Sequence, residues 1–406
     1  MAWLRAHRLE VALLAGSFAL LALFSGPRFY RQSHAPHFIY QADAWLHGQL
    51  HLHASPPDAN DWARVGNRWY VSFPPGPALL MLPGVALFGF EYVDVSFTVL
   101  FAALNVLLLF LVLERLRRSG DSARSRGENA GLALLFAFGT VAFSCSIRGE
   151  VWFTAEVLGV TGTCLYLLAA HQAAHPLLAG AAWSFAAVTR TPLAFSAIFF
   201  VAEAIAGGGT LAGGARHLAT WRDPARFRKV ALFALGAVPL VAFAAWTNWA
   251  RFGSPADFGH AHFWNNRVNA DIARHGLFSL HYLERQLHAA FTRLPYLEQG
   301  RLAYHPDGMS LLVTTPLFTL LLWPRAKPRL HLPLWLTIAA TALPGFLYQN
   351  TGYVQFGYRF SLDYTPYLFL LLAVGGRQMG PWFWALGLWG VAVNTWGALV
   401  FKGGVN

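Results

Sequence analysis

Phe73-Pro74-Pro75-Gly76-Pro77-Ala78-Leu79-Leu80 opens an apolar piece that runs on to Phe90, and its reading decides how the chain is threaded. A helical crossing takes about 20 apolar residues to span ~30 Å of hydrocarbon. This piece is shorter and carries Pro77 and Pro83. It is expected to lie at a membrane interface without crossing.

The other apolar runs read as crossings, near 9–25, 93–113, 130–147, 151–170, 176–189, 192–206, 230–248, 309–323, 332–348, 364–376 and 381–401, about eleven in all. Three loops are basic: Arg115 to Arg126; Arg216, Arg222, Arg226, Arg228 and Lys229; and Arg325, Lys327 and Arg329. Lys and Arg collect in cytoplasmic loops, so these loops and the N-terminus are assigned there. Residues 26–75 then fall outside and 115–128 inside, which needs an odd number of crossings between them. The 93–113 run supplies it only if 76–90 stays at the outer interface. With that choice Asp43, Glu150, Arg190 and the loops 249–308 and 349–363 share the outer side. Gly207-Gly208-Gly209 and Gly213-Gly214 read as a flexible cytoplasmic linker. The expected fold class is an all-α polytopic membrane protein. It forms a single domain over 1–406, with large outer loops at 26–92 and 249–308.

Composition supports this class. Hydrophobic residues make up 56% of 406, charged residues 12%, and the mean hydropathy is +0.41. A membrane β-barrel would show alternation instead of continuous apolar runs. The formal charge of +11 sits in short loops between spans, so it signals topology and not nucleic-acid binding. Cys145 and Cys164 lie in apolar segments and read as small buried hydrophobes. Arg5 and Arg8 ahead of an apolar run resemble a signal peptide, but no small-residue cleavage site stands out, and an uncleaved first span is expected. No internal repeat stands out, which counts against a transporter built from inverted halves.

A charge at membrane depth is costly and tends to be kept for function. Asp43, in His37-Phe38-Ile39-Tyr40-Gln41-Ala42-Asp43-Ala44-Trp45, follows the first span and is a candidate general base. Arg148-Gly149-Glu150 and Glu156 mark a second acidic edge, where Glu150 either pairs with Arg148 or rims a cavity. Arg190, at a tight hairpin, suits a phosphate contact through its guanidinium fork. Gln355-Phe356-Gly357-Tyr358-Arg359-Phe360-Ser361-Leu362-Asp363-Tyr364 opens a late span; Arg359 and Asp363 are spaced i, i+4 and would share a helix face, one to bind an anionic headgroup and the other to orient it. The aromatics of 249–308 suit a lid or a sugar-stacking surface. His47 and His51 have a spacing compatible with a metal on a helix face, but no strict metal motif is present and no metal is predicted. Walker, GxSxG and HExxH motifs are absent.

Together these features resemble the GT-C superfamily of integral-membrane glycosyltransferases. The likeness is strongest from Asp43 to Arg118, where the Pro-rich segment Phe73 to Leu80, Phe88-Gly89-Phe90 and Glu114-Arg115-Leu116-Arg117-Arg118 are similar to the aminoarabinose and protein O-mannosyl transferase branch. The resemblance implies a GT-C-like bundle with interfacial helices in the first outer loop. It implies a polyprenyl-phosphate-linked sugar as donor, with Asp43 as first-loop catalytic acid, Glu150 as second-loop acid and Arg359 as phosphate-binding arginine. Arg148, Glu156, Arg190, Gln355, Tyr358, Asp363 and Tyr364 are the further substrate-binding candidates. The acidic pair typical of O-mannosyl transferases is missing, since Ala42-Asp43-Ala44 holds one carboxylate. The expectation is inverting transfer to a lipid, glycan or protein acceptor, at the extracytoplasmic face of a bacterial inner or plasma membrane. The alternatives are a polyprenyl-lipid flippase or transporter and a noncatalytic lipid-binding subunit.

Overall fold

The computed structural model describes residues 7–58, 60–206, 223–264 and 266–401. The Gly207–Gly214 linker lies outside the described residues. Among the described residues, five helices are long and apolar enough to cross a membrane: Arg8–Tyr30, Asp94–Arg118, Val151–Ala173, Pro224–Phe252 and Pro381–Val400. Shorter apolar helices include Pro176–Ala187, Thr191–Ala206, His331–Leu347 and Thr365–Val374. The protein is an all-α polytopic integral membrane protein. Its strands form only three two-stranded pairs among the described residues.

Local sequence sets the helix ends. Asp94 opens one helix and Arg115, Arg117 and Arg118 close it, matching the positive and negative poles of the helix dipole. Ser125 and Glu128 form a reciprocal capping box at Arg126–Phe138. Asp223 caps Pro224–Phe252, with proline in its first turn and Gly253 in the left-handed conformation at its end. Two predicted crossings are broken. Residues 130–147 divide at Gly139 into Arg126–Phe138 and Ala142–Ser146, and 309–323 divides at Thr315 into Leu311–Thr314 and the 3-10 helix Pro316–Leu322.

Helix ends segregate into two sets. At one end Arg329 bonds Asp121 and Glu203, each at 2.6 Å, and His171 meets Asp121 at 2.7 Å. This gathers the ends of Asp94–Arg118, Val151–Ala170 and Ala197–Ala206 and the start of His331–Leu347. At the other end a cavity of about 890 Å³ collects Asp61, Trp152, Arg190, Ser254, Leu347 and Arg359. Helices Val151–Ala170 and His331–Leu347 therefore run from one set to the other.

Helix Gly76–Phe88 stays at the cavity end. Its first N–H donates to the Val188 carbonyl at 2.8 Å, and just beyond it the Phe90 carbonyl accepts from Gln32 Nε2 at 2.7 Å, close to where Asp94 opens the next helix. Thirteen residues with an internal Pro83 give about 20 Å of helix, too short to cross. Ala78, Met81 and Val85 pack on Phe38, Ile39 and Ala42 of helix His37–Leu46, while Leu87 and Phe88 are exposed. Two interfacial helices thus bury one another and leave an apolar outer face.

Candidate functional site

Helix Val151–Ala170 is the spine of the cavity. Trp152 and Glu156 are four residues apart and so share a face one turn apart. Trp152 Nε1 donates to Asp61 Oδ2 at 2.9 Å, and Glu156 Oε1 accepts from Arg359 Nη1 at 2.7 Å. One helix therefore sets an acid from the first loop beside an arginine from the late loop.

Asp61 is held from several directions. Its φ is +58°, a left-handed conformation that aspartate tolerates better than most residues. Its carbonyl accepts from Ser72 Oγ at 2.9 Å. The next residue, Trp62, stacks on His37 with ring centroids 3.8 Å apart and an interplanar angle of 9°. Burial drives the His37 imidazole down to about 4, so the stack is neutral at pH 7. Burial also raises the Asp61 carboxyl to about 6, against the opposing pull of the Trp152 hydrogen bond and the Arg359 charge. That is a carboxylate poised near neutrality in a cavity.

The basic wall is cross-linked. Arg190 grips Asp363 through Nε at 2.5 Å and Nη2 at 2.8 Å, and its Nη1 lies 3.7 Å from Glu156. Arg359 bonds Glu156 through Nη1 and the Gly352 carbonyl through Nε; neither bond uses Nη2. The backbone under Arg359 is fixed by Gln355, whose Oε1 accepts from the Arg359 N–H at 2.9 Å while its Nε2 donates to the carbonyls of Asp307 and Thr351. A parallel pairing of Asp307–Met309 with Gln355–Gly357 anchors that segment. His260 also lines the cavity, and burial lowers its imidazole to about 4, leaving a neutral ring.

The residues singled out in the sequence fall into different surroundings. Arg359 and Asp363 lie in the 3-10 turn Arg359–Asp363 and do not pair with each other; each takes its partner from another element, which the tighter turn permits. Asp43 and Glu150 are not among the residues lining the cavity. The Asp43 carboxylate turns to His47 and His53 instead. Glu150 pairs with His34 at 3.3 Å and Arg148 at 3.5 Å, and Arg148 is buried over the Phe401 ring. Tyr358 and Tyr364 are buried in the core, where Tyr358 donates to Gln286 at 3.1 Å. His51 is not part of the cluster at His47, because helix His37–Leu46 ends first and the chain turns back to bring in His53. Of the predicted substrate-binding residues, Arg190, Arg359 and Asp363 line the cavity, with Glu156 directly behind them. Asp61 lies near the first-loop histidines in sequence but is not singled out there as a base, because nothing local separates it from Asp43: both are acids in an aromatic first loop.

No protein-family model matches the chain, and no curated protein does. Among solved structures it is similar to ArnT from Cupriavidus metallidurans bound to undecaprenyl phosphate, with a TM-score of 0.51 and 16% identity over 95% of this chain. The match spans 64% of that ArnT chain. It also matches the apo oligosaccharyltransferase of Archaeoglobus fulgidus, with a TM-score of 0.44 and 14% identity, over 98% of this chain and 56% of that one. The chain therefore shares its fold with that ArnT structure, in line with the GT-C-like bundle that the sequence resemblance implied.

Proposed function

We propose that the protein is a glycosyltransferase that takes its sugar from a polyprenyl-phosphate donor and passes it, with inversion, to an acceptor hydroxyl. The observation that carries this reading is one cavity holding both a near-neutral carboxylate, Asp61, and two guanidinium groups, Arg190 and Arg359. Asp61 takes the hydroxyl proton as the acceptor oxygen attacks the anomeric carbon. The bond from that carbon to the phosphate oxygen breaks, and the lipid phosphate leaves with its electron pair. Arg359, and the Nη1 edge of Arg190, offset the charge that remains on the phosphate. Asp61 takes over the role that the sequence reading gave to Asp43.

Phe195, Phe278 and Leu343 line the cavity and are 52%, 51% and 54% exposed, respectively. Apolar side chains left open beside a polar pocket suit a prenyl chain lying in lipid. ArnT, whose solved structure holds undecaprenyl phosphate, supports the lipid-phosphate class. The basic loops at the far end support a cavity that opens on the extracytoplasmic side of a bacterial inner or plasma membrane. The test is transfer by the reconstituted protein from polyprenyl-phosphate pentoses and hexoses, read as released polyprenyl phosphate. Asp61→Asn should slow release by a factor on the order of 10²–10⁴; release at the wild-type rate would remove Asp61 from the chemistry.

A further inference from the structure

We infer that the end of the bundle away from the cavity carries a docking site for the headgroup of an anionic phospholipid, built from Arg325, Lys327 and Arg377. Two turns make it. The N–H groups of Arg325 and Ala326 both donate to the Gly375 carbonyl at 3.0 Å. A Cβ on Gly376, whose φ is +69°, would stand 3.7 Å from the Arg325 Cβ. The turn before helix His331–Leu347 and the turn before helix Pro381–Val400 therefore lie side by side, with Arg377 one residue from that contact. Arg377 Nη2 reaches across to donate to the Trp323 carbonyl.

The positive charge here is not balanced. The acids at this end are already taken: Asp121 and Glu203 by Arg329, Glu128 by Arg124 and Glu114 by Arg117. Among the described residues no carboxylate forms an ion pair with Arg325, Lys327 or Arg377. Arg325 and Lys327 are exposed, and the buried Nε of Arg377 has no hydrogen-bond partner. Pro324 and Pro328 flank the two exposed cations, which stiffens the loop and reduces the ordering that a ligand must impose.

Apolar surface lies beside the charge. Arg377 and His331 border a crevice lined by Leu321, Trp335, Leu371 and Phe383. At about 10 Å³ it admits no acyl chain. The chains lie instead along Leu322, Leu332 and Leu336, all exposed, the last two four residues apart on one helix face. Trp323 and Trp382, at the ends of the same two turns, are 66% and 82% exposed, the setting of tryptophans at the headgroup level of a membrane. A rim of cations over apolar surface selects an amphiphile. A soluble anion would use the rim alone, and a neutral phospholipid the apolar face alone. Basic pockets between membrane helices take anionic headgroups in this way. A phosphodiester held there bridges the two turns and ties down the base of helix His331–Leu347, whose other end, Leu347, lines the cavity.

The inference does not depend on the transfer reading, because lipid binding is measured with neither donor nor acceptor present. The full chain, delipidated in neutral detergent, is titrated with dioleoylphosphatidylglycerol and separately with dioleoylphosphatidylcholine. Bound lipid is counted by native mass spectrometry, and the Tm is followed in parallel. The expected result is one phosphatidylglycerol per chain, held in preference to phosphatidylcholine, with a Tm raised by phosphatidylglycerol alone. Arg325→Gln and Lys327→Gln change exposed side chains, so both should fold with the wild-type Tm in the absence of lipid. Each should weaken binding about fivefold, the effect of one cation near an anionic surface, and the triple variant with Arg377→Gln about a hundredfold. Arg118→Gln removes an exposed charge from the same end but outside the two turns and should leave binding unchanged, which separates a site from diffuse attraction. Arg359→Lys should also leave it unchanged, which separates this lipid from one held at the cavity. Equal binding of the two lipids, wild-type affinity in the triple variant, an equal loss in Arg118→Gln, loss in Arg359→Lys in place of the rim variants, or displacement by millimolar inorganic phosphate would overturn the site.

Discussion

At the residue scale the proposed chemistry turns on Asp61 and Arg359. A base must be unprotonated to accept a proton, and burial lifts the Asp61 carboxyl to about 6. We expect kcat/KM to be level above pH about 7 and to fall about tenfold per pH unit well below 6, since that parameter reports the free enzyme's groups. A profile flat down to pH 4 would assign the base elsewhere. Asp61→Asn should cost on the order of 10²–10⁴ in rate, the usual span for general base catalysis, while donor binding is kept. Arg359→Lys keeps the charge but loses the planar fork that meets both Glu156 and the Gly352 carbonyl. Undecaprenyl phosphate should bind it about tenfold more weakly, or ~1.4 kcal/mol, as measured by scintillation proximity or calorimetry. Arg359 itself was legible as a charged residue opening a span. Its partner was not, because Glu156 is two hundred residues away in sequence and only the packing of two elements joins them.

At the element scale, small residues let helices approach. A Cβ on Gly180 would stand 1.9 Å from the Phe233 carbonyl oxygen, and one on Gly236 would stand 2.0 Å from that of Leu177. Helices Pro176–Ala187 and Pro224–Phe252 therefore cross backbone to backbone, as small residues allow in membrane bundles. Gly180→Val should destabilise the protein by about 1–3 kcal/mol or more, read as a lower Tm in detergent. Gly127, in helix Arg126–Phe138, has no atom within 4 Å of its would-be Cβ. Gly127→Ala should be neutral or stabilising, by up to about 1 kcal/mol, through helix propensity. An equal loss of Tm in both variants would refute the packing argument. That Gly76–Phe88 is too short to cross was readable from its length and prolines. The breaks at Gly139 and Thr315 were not, since apolar runs carry no mark of where packing interrupts a helix.

At the scale of the whole molecule the far end is fastened by Arg329. It joins Asp121 and Glu203, from elements distant in sequence, and both carboxylates are largely withdrawn from water. Removing one partner of a buried ion pair leaves charge uncompensated, so Arg329→Ala should cost about 3–5 kcal/mol. Thermal unfolding in detergent checks this, and a Tm equal to wild type would show the network to be idle. Because this latch sits at the end opposite the cavity, it acts on the bundle and not on the reacting groups.

By itself the sequence determined the membrane class and most of the apolar helices. Hydrophobic length is a local quantity, and it survives without coordinates. Only the tertiary structure decided which acid meets the arginines. Asp43 and Asp61 are equivalent in composition and neighbourhood along the chain. What separates them is the stack of His37 on Trp62 and the reach of Trp152, which turn one carboxylate into the cavity. The other is left with two histidines.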